Sequence, residues 1–309
     1  MRSPDGSAVT SNPGECFDWP SLDRATPVWT GHGFLVNGRM HPILDYHAGA
    51  SGWSEELTRF HEDVAGEGAH PIDVASRHRA RQALKRYIRG PADRAVLLEI
   101  GCSSGFLLQE LTNEWPQSLV IGADYIPGPL LHLAEKCPTL PLMRFDLVEC
   151  PLPSASVDAV VMLNVLEHIE KDRAAVQQVA RILKPGGVAV VEVPAGPHLY
   201  DVYDKYLHHF RRYELRGLRA LFEETGLRTV QASHLGFFLY APFAIVKRRH
   251  RRWLSAPADV QRSVVERSIS STRDSKTLRW ISALEERLGR VVSYPFGIRC
   301  TLVAAKPRA

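Results

Sequence analysis

A short glycine-bearing stretch follows a continuous apolar run. Residues 95–100 form this run, and the letters EIGCSSG place Glu99, Gly101 and Gly105 at its end. The glycines permit a tight turn and close approach of the backbone to a ligand, and a helix that starts there offers free N–H groups. The stretch lacks the G-x-G-x-x-G of dinucleotide sites and the Lys-Ser/Thr of phosphate loops. An acid before the glycines disfavours a pyrophosphate and suits a cationic amino acid ligand; a plain tight turn is the alternative.

Two aspartates stand at the ends of the next two apolar runs. Asp124 follows residues 118–123, and Asp146 follows residues 140–145. In an open parallel sheet, ligands bind beyond the carboxyl ends of the strands. There Asp124 could accept hydrogen bonds from both hydroxyls of a ribose, and Asp146 could accept one from an adenine amino group. Either aspartate alone could be a helix N-cap or a turn residue, but together with the glycine stretch they indicate an adenosyl ligand.

Acidic and imidazole side chains follow the fourth apolar run, residues 157–163. Glu167 and Glu170 are three residues apart and would share a helix face beside His168. One of these groups could take a proton from a reacting molecule. The alternative is that this segment shapes a turn and that His168 makes a structural hydrogen bond.

Residues 200–213, with the sequence YDVYDKYLHHFRRY, form a second candidate cluster. Arg211 and Arg212 could position an anionic acceptor, because a guanidinium can bind a carboxylate in a bidentate way. The histidines of this cluster, His209 above all, are the more catalytic candidates, whereas Arg212 and Tyr213 are the more structural ones. The residues predicted to bind the acceptor are Tyr203, Tyr206, His208 and Arg211. The alternative is that arginine and tyrosine side chains only clamp this segment onto the fold.

The segment 31–75 carries many aromatic and histidine residues without a clean period. It is too apolar for a tail, so we expect it to fold against the rest of the chain. Its aromatic residues Phe34, Tyr46, Trp53 and Phe60 could form a lid that excludes water from a reaction site. A helical cover without substrate contact is the alternative. The predicted division is an N-terminal extension, residues 1–74, and a ligand-binding domain, residues 75–309.

These candidates need elements that position them, and strand and helix patterns alternate from residue 72 onward. Helical patterns cover residues 72–88, 105–114, 129–136, 170–183 and 214–225, with further helical material over 243–288. Extended patterns cover residues 95–100, 118–123, 140–145, 157–163, 188–193, 229–238 and 299–305. This alternation predicts an α/β fold with a parallel sheet that carries helices on both faces. Such a sheet brings the carboxyl ends of its strands, and so the candidate residues, to one edge.

The composition is that of an ordinary globular protein, with 309 residues of which 45% are hydrophobic and 23% charged. A formal charge of +4 is too small to imply a nucleic acid partner. The five cysteines have no paired spacing that suggests zinc or disulfides, which fits a reducing compartment. The N-terminus has no apolar run of the kind a secretion signal needs, and the apolar stretch 235–246 is too short to span a bilayer. We therefore expect a cytoplasmic protein.

A basic run, KRRHRRW at residues 247–253, follows that apolar stretch. Residues 235–253 together could make a peripheral contact with an anionic membrane surface. The run could also accept a phosphorylated substrate or touch RNA, but it lacks the interleaved aromatic residues of a nucleic-acid platform. The commonest explanation for such a run is a solvated helix face beside a buried helix.

The set of motifs resembles the class I, or Rossmann-like, S-adenosylmethionine-dependent methyltransferases over about residues 75–235. VLLEIGCSSG at 96–105 looks like the first motif of that family, although CSS departs from its commoner form. DAVVMLNVLEH at 158–168 falls where a later motif lies, and KPGG at 184–187 is also typical. The resemblance implies a doubly wound, mostly parallel seven-stranded sheet whose last strand, 299–305, inserts antiparallel. It also implies S-adenosyl-L-methionine as the cofactor.

The resemblance further implies roles for individual residues. Gly101, Cys102 and Gly105 would lie near the methionine part of the cofactor, and Asp124 would hold the ribose. Asp146 and Leu147 would flank the adenine, and Asn164 would lie near the sulfonium. Glu99 and Tyr125 are the other two residues predicted to bind the cofactor. Some relatives bind a divalent metal through Glu-x-x-Glu-His at this place. Asn164 stands in the first of these positions, which disfavours a metal site and leaves a divalent metal as the alternative. The predicted catalytic residues are His168, Glu170 and His209.

Methyl transfer from a sulfonium depends mainly on alignment of the reacting atoms, so these motifs do not identify the acceptor. The N-terminal extension and a helical insertion at about 240–290 could enclose a pocket. This favours a small-molecule acceptor, such as a specialised metabolite, a sugar or an isoprenoid-linked compound, methylated on O, N or C. The alternatives are methylation of RNA or of a protein, which only the basic run supports, a non-catalytic cofactor sensor or partner subunit, and another use of the sulfonium.

Overall fold

The computed structural model describes residues 14–47, 68, 70–88, 94–273, 275–289 and 291–308. The strands are β1 (Val28–Trp29), β2 (Phe34–Val36), β3 (Arg39–His41), β4 (Leu44–Asp45), β5 (Val96–Ile100), β6 (Leu119–Asp124), β7 (Leu142–Arg144), β8 (Val157–Leu163), β9 (Leu183–Pro194), β10 (Arg228–Leu235) and β11 (Arg299–Ala305). The α-helices are α1 (Pro71–Tyr87), α2 (Phe106–Glu114), α3 (Pro127–Lys136), α4 (Asp172–Ile182), α5 (Val202–Tyr206), α6 (Leu215–Glu223), α7 (Tyr240–His250), α8 (Ala258–Arg273) and α9 (Lys276–Gly289). The predicted α/β class is confirmed.

The main sheet has eight strands in the order β10-β11-β9-β8-β5-β6-β7-β4. Strand β11 runs antiparallel to both of its neighbours, as predicted, and the other pairs are parallel. The predicted number of seven strands is wrong by one, because β4 pairs with β7 through Leu44 and Asp45. Leu44 is fully buried in the core, and the Asp45 carboxylate pairs with Arg144 at 3.1 Å. Two residues are too few to show an alternating pattern in the sequence.

The central strands are buried on both faces, which explains their continuous apolar runs. Alternate residues of one strand enter different cores, because successive side chains point to opposite faces of a sheet. Leu98 and Val160 belong to one core, and Leu97 and Val161 belong to the other. The carboxyl ends of β5, β6, β7 and β8 therefore lie at one edge of the sheet. Helices cover both faces of the sheet.

The described part of the N-terminal extension packs beside this sheet. Strands β1, β2 and β3 form a small antiparallel sheet. Phe34 is fully buried there, with its ring 4.8 Å from those of Trp19 and Trp29. Tyr46 donates a hydrogen bond to the carbonyl of Pro20 at 2.6 Å. Phe34 and Tyr46 thus hold the extension on the domain rather than cover a reaction site.

The rest of the predicted lid lies outside the described residues, and so do Trp53 and Phe60. The lid therefore stays a prediction for residues 48–67. The predicted domain boundary at residue 74 falls inside α1, whose range is Pro71–Tyr87.

The predicted helical insertion lies between β10 and β11 and consists of α7, α8 and α9. Helix α8 packs on α5 through Val265 and Ile269, which contact Tyr203 and Tyr206. Helix α9 packs on α1, where His78 pairs with Glu286 at 2.8 Å. None of the described helices is both long enough and apolar enough to cross a bilayer.

Candidate cofactor and acceptor site

A cavity of about 1480 Å³ opens beyond the carboxyl ends of the central strands. Its volume exceeds the roughly 300–1,000 Å³ that is usual for a single small ligand. The strand-end residues line one part of it, and the insertion lines the other. The predicted site residues on its wall are Glu99, Gly101, Cys102, Asp124, Tyr125, Asp146, Leu147, Asn164, His168, Glu170, Tyr203 and His209. The cavity therefore has room for a cofactor together with an acceptor.

The glycine loop follows β5 at the floor of the cavity. Gly101 has a φ of +77°, and a Cβ there would lie 2.6 Å from the Cγ2 atom of Val165. Its N–H and that of Cys102 both donate to the carbonyl of Ala123, which ties the loop to β6. Gly105 begins α2 with a φ of +75°, but it lies against Leu133 and does not line the cavity. Gly101 thus contributes a close backbone approach to a ligand, and Gly105 contributes the turn.

Asp124 ends β6 and faces the cavity. One carboxylate oxygen accepts a hydrogen bond from the N–H of Ser103 at 2.9 Å, and the other accepts from the N–H of Ile126 at 3.0 Å. These bonds fix the orientation of the carboxylate, and each of its oxygens has a second lone pair. Asp124 could therefore accept from two hydroxyls of a ligand while it holds the glycine loop. The neighbouring Tyr125 hydroxyl lies 3.0 Å from the Nε2 atom of His47, so the extension reaches the cavity wall.

Asp146 serves as the N-cap of a short 3-10 helix, Leu147–Glu149. Its carboxylate accepts a hydrogen bond from the N–H of Val148 at 2.9 Å. The sequence offered this cap as an alternative to ligand binding. The structure shows the cap and also places Asp146 and Leu147 on the cavity wall, so one side chain can serve both purposes.

Glu99 is buried on the cavity wall, at the end of β5. Its Oε2 atom has no hydrogen-bond partner within the described residues. Burial, and then the negative charge of Asp124, raise the pKa of Glu99 well above its ordinary value. A cationic group placed beside Glu99 would favour its ionised form.

This raised pKa predicts a pH-dependent affinity for an amino acid cation. Only the ionised carboxylate attracts the cation, so we expect the affinity for S-adenosylhomocysteine to rise as the pH is raised from the ordinary titration range of a glutamate toward neutrality and above. Calorimetric titration across this range measures the effect. In Glu99→Gln the affinity should be lower and nearly independent of pH. An equal pH dependence in both proteins would rule out Glu99 as the titrating group.

Glu167 and two imidazoles meet on the opposite side of the cavity. One ligand atom from each of Glu167, His168 and His209 lies within 4.8 Å of the other two. Glu167 is fully buried, and neither of its oxygens has a hydrogen-bond partner in the part of the chain that the structure describes. The rings of His168 and His209 meet edge to face, with centroids 4.6 Å apart.

A carboxylate and two imidazoles are a donor set that fits a divalent transition-metal ion. Sequence reasoning argued against a metal because Asn164 stands in the first position of the relatives' motif. In the structure Asn164 has a φ of +56° and donates its backbone N–H to the carbonyl of Glu192. His209, from a distant segment, would be the third donor. A bound ion would act as a Lewis acid toward an acceptor oxygen, and it would occupy the lone pair that His209 otherwise has for a proton.

The buried Glu167 carboxyl also predicts a pH-dependent stability. Burial raises its pKa from an ordinary value of 4.5 to about 8. Between these values the folded protein keeps a proton that the unfolded chain releases. The free energy of unfolding therefore falls as the pH rises, by up to about 1.4 kcal/mol per pH unit.

We expect Glu167→Gln to remove this decrease in the free energy of unfolding with rising pH. In metal-free protein the variant should melt at the same temperature as the wild type near pH 5 and about 5–10 °C higher near pH 8. Differential scanning calorimetry in the presence of EDTA measures both. Glu170→Gln, at the exposed rim of the same cavity, is the matched control. If the melting temperatures of the variant and the wild type differ by the same amount at both pH values, the titration of Glu167 does not control stability.

A buried ion cluster holds His209 in place. The Nδ1 atom of His209 lies 2.9 Å from a carboxylate oxygen of Asp204, and the Nε atom of Arg212 donates to the same oxygen at 2.8 Å. Lys247 of the insertion donates to Asp201 at 2.6 Å and lies 3.4 Å from the second oxygen of Asp204. All five side chains are buried. The insertion is thus bound to the segment that carries His209.

The protonation of His209 follows from this cluster. Burial alone would raise the pKa of Asp204, but Lys247, the hydrogen bond from His209 and the charge of Arg212 together hold it well below its ordinary value. Burial, helped by the charges of Arg212 and Lys247, lowers the pKa of His209 below its ordinary value although Asp204 raises it. His209 is therefore neutral at neutral pH and carries its proton on Nδ1, because ionised Asp204 can only accept. The lone pair then lies on Nε2, the arrangement of a general base.

Three residues predicted to bind the acceptor do not line the cavity. Tyr206 packs against Val265 and Ile269 of α8. His208 is exposed, with a φ of +54°. Arg211 pairs with Asp172 at 2.7 Å and donates to the carbonyl of Glu170. The sequence indicated Arg211 as an acceptor-binding residue and Arg212 as a structural one. In the structure Arg212 lines the cavity and Arg211 does not.

Sequence reasoning missed Asp204 and Lys247. Asp204 could have been found from its position five residues before His209 in the same segment. Lys247 had no such signal, because its partner Asp201 lies 46 residues away. Lys247 also belongs to the basic run 247–253, which by its sequence is expected to be a solvated helix face. Sequence reasoning also did not name the residues that line the acceptor side of the cavity. Those on its apolar wall are Phe243, Val246, Trp253, Val264, Leu278 and Ile281.

Known proteins resemble this chain in sequence. Residues 98–191 match the family described as "Methyltransferase domain". A probable S-adenosylmethionine-dependent methyltransferase of Mycolicibacterium smegmatis is 33% identical over 175 residues, 55% of this chain and 65% of that protein. Trans-aconitate 2-methyltransferase of Azoarcus is 28% identical over 135 residues, 43% of this chain and 51% of that protein. The chain therefore spans less than two thirds of either relative.

Solved structures share the fold. A phosphoethanolamine N-methyltransferase of Haemonchus contortus, solved with phosphomonomethylethanolamine and S-adenosylhomocysteine, aligns with a TM-score of 0.53 at 15% identity. The alignment covers 81% of this chain and 57% of that one. At this identity the likeness concerns the fold alone.

Proposed function

We propose that this protein transfers a methyl group from S-adenosyl-L-methionine to a small-molecule acceptor. The match of residues 98–191 to the methyltransferase-domain family and the similarity to a probable S-adenosylmethionine-dependent methyltransferase support this. The observation that carries the proposal is the convergence of Glu99, Asp124 and Asp146 on one cavity. Three acidic side chains at three neighbouring strand ends match an amino acid cation, a ribose and an adenine amino group. The pyrophosphate of a dinucleotide would be repelled by Glu99 beside the glycine loop.

The cofactor would lie along the carboxyl edge of the sheet. Glu99 would hold the ammonium group, Asp124 the ribose hydroxyls, and Asp146 with Leu147 the adenine. Asn164, at the end of β8, would lie near the sulfonium. When bound, S-adenosylmethionine supplies an electrophilic methyl group on a good leaving group, so the protein has to supply alignment and a proton acceptor.

His209 is the proton acceptor that the geometry favours. The sulfur of the bound cofactor would keep the electron pair of the methyl–sulfur bond, and the methyl group would replace a proton on the acceptor. Nε2 of His209 would take that proton. Asp204 accepts from Nδ1 and so stabilises the imidazolium that results. Glu170 also lines the cavity but is exposed, so we favour the buried His209 over Glu170 for this role.

The insertion determines the acceptor class. The wall opposite the cofactor edge is mostly apolar and ends at the exposed residues Arg252 and Arg267. This favours a molecule with a sizeable apolar part and an anionic group. In the basic run, which alone supported an RNA acceptor, Lys247 is buried in the ion cluster, whereas Arg248, Arg249, Arg251 and Arg252 are exposed, so the expected solvated face holds for the four arginines.

The test is turnover with a panel of apolar hydroxy and carboxylic acids. We expect formation of S-adenosylhomocysteine that depends on the acceptor, together with a product heavier by one methyl group. Asp124→Ala should abolish both. Cofactor binding without turnover on any acceptor would instead support the non-catalytic sensor or partner subunit.

A further inference from the structure

Helix α9 has an outward face that is apolar. Its inner face buries Leu278 and Glu285 against the domain. On the outer face Trp280, Leu284 and Leu288 recur at intervals of four residues, which places them in one row along the helix. Trp280 is 67% exposed, and the row continues past the helix end to Val291, which is 84% exposed. We call Trp280, Leu284, Leu288, Val291 and Val292 the apolar row.

The apolar row borders the mouth of the cavity. Thr277 and Ile281 line the cavity, and the spacing of Thr277, Ile281, Leu284 and Leu288 places all four on one side of α9. Val246 of α7 also lines the cavity and is exposed, and its neighbour Ile245 is 54% exposed. The apolar cavity wall thus continues onto the protein surface on both helices.

Cationic side chains flank this surface. The exposed basic residues of α9 are Lys276, Arg279 and Arg287, and those of α7 and the following turn are Arg248, Arg249, Arg251 and Arg252. The two acidic residues of α9 do not offset them on the outward face. Glu285 is buried and accepts from the N–H of Gly236, and Glu286 pairs with His78.

We propose that this surface, the apolar row with Ile245 and Val246, docks on an anionic phospholipid bilayer, with the cavity mouth facing the lipid. Apolar side chains flanked by arginine and lysine are the pattern of helices that lie in a membrane interface. Anionic headgroups complement the cations. A second copy of the chain is disfavoured as the occupant, because its own cations would face the same cations here.

The location differs from the one that the sequence indicated. Residues 235–253 were the predicted membrane contact, but Leu235 and Lys247 are buried. Only one face of α7 contributes to the surface, and α9 supplies most of it. In this arrangement an amphiphilic molecule could pass from the bilayer into the cavity along a continuous apolar path.

Co-sedimentation with vesicles tests the proposal and does not depend on methyl transfer. We expect the full chain to bind vesicles of phosphatidylcholine with phosphatidylglycerol, to bind phosphatidylcholine alone at least about tenfold more weakly, and to dissociate at high salt. The variant Trp280→Ser/Leu284→Ser should lose at least about tenfold in affinity. Its matched control is Val28→Ser/Met40→Ser, two exposed apolar residues on the N-terminal sheet.

Charge reversal gives a second, independent readout. Arg287→Glu should weaken binding to the anionic vesicles, whereas Arg216→Glu, exposed on α6, should not. Thermal unfolding confirms that each variant is folded. Failure of the wild type to bind anionic vesicles, or equal effects of variants and controls, would overturn the proposal. A dimer in sedimentation velocity that Trp280→Ser/Leu284→Ser dissociates would overturn it too, because the surface would then be a self-association face.

Discussion

Gly101→Arg is expected to abolish binding of S-adenosylhomocysteine, a loss in affinity of at least about 100-fold. The backbone of Gly101 has a φ of +77°, and any Cβ there meets Val165 at 2.6 Å. The longer arginine side chain would have to enter the space where the backbone of the loop should approach the ligand. Equilibrium dialysis with labelled S-adenosylhomocysteine measures the loss.

Gly38→Arg is the matched control for this substitution. Gly38 has nearly the same backbone conformation, with a φ of +78°, but nothing lies within 4 Å of an added Cβ. Both variants therefore carry the same backbone strain, of the order of 1 kcal/mol. Only Gly101→Arg should lose the ligand. Unchanged binding in a folded Gly101→Arg protein would exclude this loop from the cofactor site.

His209→Ala is expected to lower kcat by about two to four orders of magnitude while the KM for S-adenosylmethionine stays within about twofold. The reason is that His209 lines the cavity with a neutral imidazole, whereas the proposed contacts to the cofactor are Glu99, Asp124 and Asp146. Steady-state kinetics on an acceptor found in the panel separates the two parameters.

His208→Ala is the matched control, because it is the neighbouring histidine, exposed and absent from the cavity wall. It should keep nearly full activity. The bell-shaped or sigmoid pH profile of kcat should lose its acidic limb in His209→Ala only. Equal loss of cofactor affinity in His209→Ala would refute the separation of roles between the two sides of the cavity.

The cofactor edge could be predicted because its signals are local. Each strand there is a short apolar run, and each functional residue stands within a few positions of the strand end, as Glu99 and Asp124 show. Once the sheet is parallel, those ends must meet. The antiparallel insertion of β11 could not be read from its own residues and came from the family resemblance, which the topology confirms.

The parts that could not be predicted depend on contacts between distant segments. Strand β4 is two residues long and is defined by its pairing with β7, 99 positions further along the chain at Asp45 and Arg144. Lys247 has the composition of a surface residue, and only the buried carboxylates of Asp201 and Asp204 explain its burial. Arg211 and Arg212 are adjacent in sequence, and their different roles follow from which of them points at Asp204.

Calorimetric titration of the purified protein with S-adenosylhomocysteine, repeated on Asp124→Ala, tests the central claim most directly. The account predicts one site on the wild type and a loss of at least about 100-fold in Asp124→Ala, because two charge-assisted hydrogen bonds to the ribose would be removed. Asp259→Ala, an exposed aspartate on α8, should bind as the wild type does. Equal binding by the wild type and Asp124→Ala, or no binding by the wild type, would contradict the assignment of the cavity as the cofactor site.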